Sequence, residues 1–291
     1  MTTARFKFLR PEDIRQLQSY EFAPKALVEG YLSGRHRSHV QGTSTEFRDY
    51  RQYVPGDDPS LVDWRVFART DRYYLRTYNQ ETNMNGYIFL DSSHSMGFGE
   101  PSTKLEYASF FAASLCYLIL RSLDRVSLHV FDEDIRDFIP PGSTQRHLQN
   151  LMHVLERNQP GRKTSVANAL RRAFPLLNQR GVLVVISDFF DNAAEIFSAL
   201  NPYLHRGFSV YLCHVLAPEE LELPDRGLVT FRDMETQRRV VAHTGSLRPH
   251  YREAIRSHIK ALRELAMRRH VDYVVARTDA SFYHLFDRFT S

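Results

Sequence analysis

The sequence predicts an α/β fold, a doubly wound and mainly parallel sheet, on three observations. Short apolar runs rich in β-branched and aromatic residues recur at Tyr87–Leu90, Val126–Phe131, Val182–Ile186, Phe208–Val215 and Tyr273–Val275. Such runs fit strands buried on both faces of a parallel sheet. Helical patterns separate most of them, the order that builds crossover connections. Two of the runs end abruptly in a carboxylate, Asp91 and Asp188, at the strand end where ligands bind in an open α/β sheet.

The 291 residues suffice for one large domain or two modest ones, with a full core that needs no staples. The two cysteines, Cys116 and Cys213, lie in apolar runs and read as small buried hydrophobes, without zinc spacing or a disulfide framework. No apolar stretch reaches membrane-helix length, and Glu12, Asp13 and Glu21 stand where a signal-peptide core would be. A cytoplasmic protein without a membrane segment is the expectation. The 38 basic residues against 34 acidic ones, a net charge of +4, describe a mixed-sign solvated surface.

In chain order, Pro11-Glu12-Asp13-Ile14 opens a first helix, and a second helical pattern runs from Pro24 to Leu32 and stops at Gly34. A basic run, Arg35-His36-Arg37, and a polar stretch, Gly42-Thr43-Ser44-Thr45, follow. The block from Glu46 to Thr70 then sets Arg48, Arg51, Arg65 and Arg69 and the carboxylates Asp49, Asp57, Asp58 and Asp63 among Tyr53, Trp64 and Phe67. We read this as a platform in which the arginines pair with the carboxylates over partly buried rings. Interleaved aromatics and arginines also suit nucleic acid, but the matching number of carboxylates would repel phosphate, so no nucleic-acid partner is expected. Residues 1–80 form an N-terminal extension packed on a core domain of residues 81–291, since residues 71–86 hold no long Gly, Ser or Pro linker.

The strand Tyr73–Tyr78 alternates and leads into that core. Helix Leu105–Leu120 has an almost wholly apolar inner face, and an edge strand from Ile135 to Ile139 is stopped by Pro140-Pro141-Gly142. Helices Leu148–Leu155, Val166–Leu177 and Ala193–Leu200 precede or separate the later strands. Between Pro218 and Gly245 the pattern breaks, and Val229-Thr230-Phe231 with Val240-Val241 reads as an inserted hairpin. A long helix, Arg248–Arg268, and a last helix, Phe282–Phe289, complete the chain.

The chemistry concentrates in Asp91-Ser92-Ser93-His94-Ser95. Asp91, Ser93 and Ser95 alternate across a turn at a solvent-facing strand tip, so three hard oxygens can converge while Ser92 and His94 face away. Hard oxygens suit Mg2+, Mn2+ or Ca2+ and not zinc. One carboxylate cannot hold a divalent ion unaided, and two more oxygens are available: Thr164, opening the helical pattern at Val166, and Asp188, ending the run from Val182. On the alternative reading Asp91 and Ser93 cap the next turn and Asp188 is an ordinary strand-end carboxylate.

The order Asp-x-Ser-x-Ser, then Thr164, then Asp188 resembles the metal-ion-dependent adhesion site of von Willebrand factor A domains. Upstream, Gly34, Ser38, Gly42, Glu46-Phe47, Arg51-Gln52-Tyr53, Gly56-Asp57-Asp58, Asp63-Trp64 and Ala68-Arg69-Thr70 resemble the bacterial family catalogued as domain of unknown function 58. Ser60-Leu61 departs from that pattern, which usually carries a basic residue after the Asp-Asp pair. The resemblance implies a von Willebrand-like fold and an ion, Mg2+ first and Mn2+ or Ca2+ otherwise, held by Asp91, Ser93 and Ser95. Thr164 and Asp188 complete the ring, and one position is left for a partner's carboxylate. It also implies a MoxR-type AAA+ ATPase as partner, acting with this chain on client proteins during assembly or maturation. Phe98, Phe189 and Phe190 are the expected apolar rim.

Catalytic constellations fail. Gly161-Arg162-Lys163-Thr164 lacks the first glycine and the spacing of a phosphate-binding loop. Ser93 stands where a haloacid-dehalogenase phosphatase has its second Asp, and no Gly-x-Ser-x-Gly elbow exists. The reading is therefore a metal-dependent protein-interaction module and not an enzyme. The rival is a divalent-metal-dependent phosphohydrolase, for which His94 is the one acid or base within the motif.

Overall fold

The structure is a computed structural model that describes residues 6–20, 47–53, 62–78, 84–122, 124–232 and 239–288. The chain divides into two compact units, residues 34–83 and a larger unit of residues 1–33 with 84–291. The first helix, α1 (Pro11–Leu17), therefore belongs to the larger unit. Phe8, Leu9 and Leu17 explain why: all three are buried in the core beside the central sheet. The second expected helix, Pro24–Leu32, lies outside the described residues.

The smaller unit pairs β1 (Phe47–Gln52) antiparallel with β2 (Tyr74–Tyr78), with α2 (Trp64–Thr70) between them in sequence. Asp63 caps α2, its carboxylate accepting the N–H groups of Arg65 at 2.9 Å and Val66 at 3.3 Å, which supplies partners for two of the helix's free donors. Phe67 stacks on Tyr73 at 4.5 Å, and Trp64 meets both rings edge-on. Trp64, expected to be partly covered, is 60% exposed, because it sits on the first turn of a helix that buries none of its residues. Arg51 lies in β1 and Arg69 on α2, while Asp57 and Asp58 lie outside the described residues.

In the larger unit six strands form one sheet: β3 (Asn85–Asp91), β4 (Arg125–Phe131), β5 (Ile135–Gly142), β6 (Val182–Ser187), β7 (Ser209–Leu216) and, from the end of the chain, Asp272–Arg277. The spatial order is Asp272–Arg277, β7, β6, β3, β4, β5, and every pairing is parallel except the antiparallel edge pair β4–β5. The apolar runs carry this arrangement residue by residue. Ile88 and Leu90 enter one hydrophobic cluster and Tyr87 and Phe89 the other, as the two-residue period of a strand requires. Val184 and Ile186 likewise oppose Leu183 and Val185 on β6.

Helix α3 (Lys104–Arg121) and helix α4 (Gln145–Arg157) supply one cluster, together with the N-terminal segment and the 3₁₀ turn Phe282–Arg288. Gly86 lets α3 come close to β3, since a Cβ there would stand 2.6 Å from Ile119 Cδ1. The other cluster draws on α5 (Val166–Ala173) and α6 (Ala193–His205). Next come the short α7 (Pro218–Leu221), the hairpin β8 (Leu228–Arg232) with β9 (Arg239–His243), the long α8 (Thr244–Arg268), which joins the second cluster, and finally the edge strand β10, Asp272–Arg277.

Three elements depart from expectation, the first two for a backbone reason. β5 continues through Pro140-Pro141 to Gly142, because an edge strand tolerates missing N–H groups and the pairing slips between Val126 and Leu128. The helix expected to reach Leu177 ends at Ala173 and tightens into a 3₁₀ turn, Phe174–Leu176, where Pro175 would clash in a continued α-helix. The closing segment Phe282–Arg288 is also 3₁₀. Cys116 and Cys213 are free and buried as expected. No helix among the described residues is long and apolar enough to cross a membrane.

Candidate metal and partner-binding site

The candidate site lies at the carboxyl ends of β3 and β6, adjacent central strands of the sheet. Asp91 is the last residue of β3 and is fully buried, not solvent-facing as its place at a strand tip suggested. Its Oδ1 accepts the Ser93 N–H at 2.8 Å, and its Oδ2 accepts the hydroxyls of Thr164 at 2.9 Å and Ser187 at 2.6 Å. Burial, then the nearby Asp188 charge, push the Asp91 carboxyl up to about 6, against the pull of the Ser187 and Ser93 hydrogen bonds. Two carboxylates thus share a desolvated corner, an arrangement that a cation would relieve.

After Asp91 the chain turns into a short 3₁₀ segment, His94–Gly97. Ser93 Oγ lies 3.1 Å from Ser95 Oγ, so these two hydroxyls stand together as the alternation predicts. Ser92 faces the other way, is fully buried, and bonds Asn158 Oδ1 at 2.9 Å.

The Thr164 loop is bound to this turn by its backbone. Gly161 donates its N–H to Ser92 O at 2.6 Å, and His94 donates its N–H to Arg162 O at 2.8 Å. Asp132, just past β4, accepts the Arg162 N–H on its carboxylate at 3.1 Å and the Ser165 N–H on its carbonyl at 3.0 Å. A Cβ at Gly161 would lie 2.4 Å from Asp132 Oδ2 and 2.6 Å from Arg136 Nη1, so any other residue here must push those side chains aside.

Asp188, directly after β6, is fully buried. Its Oδ2 accepts Lys104 Nζ at 2.7 Å, while its Oδ1 has no hydrogen-bond partner among the described residues. Lys104 is itself fully buried and also donates to Glu220 Oε1 at 2.6 Å. Burial lowers the Lys104 pKa, but the Asp188 and Glu220 charges outweigh it and hold the ammonium above its ordinary value.

The donor set of Asp91, Ser93, Ser95 and Thr164, with the orphaned Oδ1 of Asp188, is made of hard oxygens and fits a magnesium-like or calcium-like ion. Among the described residues no group of three or more His, Cys, Asp or Glu is placed to hold a metal. An ion here would therefore depend on the hydroxyls.

Of the expected rim, Phe98 and Phe190 are 38% and 44% exposed. Phe189 is not on the rim: it adopts a left-handed backbone (φ 48°) and turns fully into the second core cluster. Phe190 stacks on His258 at 5.7 Å and lies under Lys104 Nζ at 5.4 Å. Sequence reasoning missed Ser187, Asp132, Lys104 and Glu220. Only Lys104, a charge opening a helix whose inner face is almost wholly apolar, carried a signal that could have been followed.

The pattern described as "Protein of unknown function DUF58" matches residues 49–261. Proteins described as uncharacterized from Mycobacterium bovis and Mycobacterium tuberculosis are 27% identical over 231 residues, which cover 78% of this chain and 72% of theirs. Among solved structures, BatB of Bacteroides thetaiotaomicron aligns over 70% of this chain and 96% of its own, at 21% identity and a TM-score of 0.48. A von Willebrand factor type A protein of Catenulispora acidiphila aligns over 49% of this chain and 35% of its own, at 13% identity and a TM-score of 0.37.

Proposed function

From the premise that this chain belongs to the DUF58 family, we propose that it is a protein-interaction module that grips an acidic partner residue through a divalent ion at the Asp91 loop. The observation that carries this reading is the cluster of hydroxyls around Asp91, with Thr164 Oγ1 2.9 Å from its Oδ2 and Ser93 and Ser95 together on the following turn. Mg2+ is the first candidate, with Mn2+ and Ca2+ as the alternatives the oxygen donors also suit. When bound, the ion would supply a fixed positive charge for one carboxylate oxygen of the partner.

The chain's own residues do the rest. Asp91 provides the negative charge, Ser93, Ser95 and Thr164 provide neutral oxygens, and the Asp132 and Ser92 contacts hold the two loops in register. A single carboxylate contact has little area, so affinity must come from the surroundings, where the exposed rings of Phe98 and Phe190 are the apolar anchors. The partner we assign is a MoxR-type AAA+ ATPase, with which this chain would act in the assembly or maturation of client proteins. The ATPase supplies the energy and this chain the grip.

Calorimetry with Mg2+ and Mn2+ on the full chain and on Asp91→Ala tests the site. We expect binding in the first and none in the second, with the circular dichroism of a folded α/β protein in both. Equal binding in both chains would sink the assignment. A pull-down of the ATPase with and without chelator tests the partner: capture is lost on chelation, and Phe190→Ala weakens capture while leaving metal affinity intact. Capture that persists in excess chelator would leave the site structural or catalytic, as in a phosphohydrolase.

A further inference from the structure

Lys104 is out of place by two physical criteria. It is the first residue of α3, where the helix already presents its positive end and favours anions over cations. It is also fully buried, where an ammonium is costly unless paired and hydrogen-bonded. Its two partners lie on separate elements: Asp188 after β6, at 2.7 Å, and Glu220 in α7, at 2.6 Å.

Glu220 is itself anchored. Its Oε2 accepts the Ala217 N–H at 2.9 Å, and its carbonyl accepts the Tyr251 hydroxyl at 2.9 Å. In this chain of charges the buried oxygen left without a partner among the described residues is Asp188 Oδ1.

We propose that Lys104 is a positioning residue that shares Asp188 with the candidate ion by holding its Oδ2, so that Asp91 is the one carboxylate wholly committed to the ion. The inference rests on the metal-dependent reading above and deepens it. With Asp188 shared with an internal ammonium, the loop is short of one negative charge. An ion is then held weakly by the chain alone and firmly once a partner's carboxylate supplies the missing charge. Glu220 acts from the far side, drawing Lys104 away from Asp188. The two residues therefore oppose each other in their effect on metal affinity, whereas in a merely structural ion pair the loss of either would shift metal-free stability in the same direction.

The test is calorimetric titration of Mg2+ into the full-length chain and its variants, with unfolding curves recorded with and without Mg2+ as an independent readout. Lys104→Met, close in length and uncharged, should tighten Mg2+ binding roughly tenfold or more, as expected when a unit charge is removed a few ångströms from a partly buried site. Lys104→Met/Asp188→Asn should cancel that gain. Glu220→Gln should weaken binding several-fold, because Lys104 then pairs with Asp188 alone. A folded Lys104→Met chain with unchanged or weaker binding overturns the proposal. If Lys104→Met does not fold, Glu220→Gln decides, and unchanged or tighter binding overturns it. Should the unaltered chain bind no Mg2+, the metal-dependent reading fails as a property of this protein. Binding acquired in Lys104→Met would then still support the restraining role, and none in either chain would overturn both.

Discussion

His129 and Asp91 occupy neighbouring strands and face opposite electrostatic problems. His129 pairs across β3–β4 with Phe89, whose ring it stacks on at 4.2 Å. It is fully buried, its Nε2 meets Ser127 Oγ at 3.1 Å, and burial pushes its pKa down to about 3. A histidine held neutral in the folded chain but free to protonate when unfolded costs nothing above its ordinary pKa of 6.5. Below that value it destabilises progressively, reaching its full effect near pH 3. At pH 5 this amounts to about 2 kcal/mol.

The raised carboxyls of Asp91 and Asp124, each pushed up to about 6, act in the opposite sense. Their burial stabilises the protonated form, so the metal-free fold gains stability as pH falls through about 6 toward 4. His129→Phe isolates the histidine, because both carboxyls are common to the two chains. Between pH 7.5 and pH 5 the unaltered chain should lose about 2 kcal/mol more than His129→Phe. Urea unfolding at the two pH values measures this, and parallel pH dependence in the two chains would refute it.

At the scale of elements, the site depends on how tightly the loops after β3 and β4 interlock with the Thr164 loop. Gly161 is the closest point of that contact, and Gly161→Ala would force a methyl group onto Asp132 and Arg136. Overpacking of this kind costs about 1–3 kcal/mol, and here the displacement falls three residues before Thr164. We expect Gly161→Ala to lower the urea midpoint and also to weaken Mg2+ binding. A stability loss with metal affinity unchanged would show that the loop does not set the donor geometry.

The strands were legible because their signal is local. Tyr87–Leu90 and Val182–Ile186 carry β-branched and aromatic residues in unbroken runs, and burial on both faces leaves no other use for them. Asp91, Ser93, Ser95, Thr164 and Asp188 were singled out because their spacing repeats a known arrangement of oxygens. What the sequence withheld was long-range pairing. Lys104 meets Asp188 across 84 positions and Glu220 across 116, and no local pattern announces such partners. Phe189 was misplaced for a related reason: its direction is set by a single left-handed residue angle, which its apolar character does not reveal.

At the scale of the whole chain, the first described residues are part of the core and not of an extension. Phe8 meets Phe110 of α3 edge-on at 5.1 Å, Arg121 donates to the Leu17 carbonyl at 3.0 Å, and Tyr283 donates to Asp13 at 2.9 Å. The segment thus links α3 to the 3₁₀ turn that closes the chain. The sequence suggested a boundary near residue 80, where the charged and aromatic block gives way to the first core strand, but the hydrophobic residues of the N-terminal segment are used by the unit that comes after it. Burying a large apolar side chain contributes about 1.5–3 kcal/mol, so Phe8, Leu9 and Leu17 together contribute roughly 5 kcal/mol before the cost of ordering the segment. Domains are stable by only about 5–15 kcal/mol. A chain beginning at residue 84 should therefore unfold at a markedly lower urea concentration than the full chain and be cleaved faster by protease. Adding residues 1–33 as a separate peptide should recover part of the loss. If the fragment from residue 84 unfolds at the same midpoint as the full chain, the N-terminal helix is an accessory and the core is complete without it.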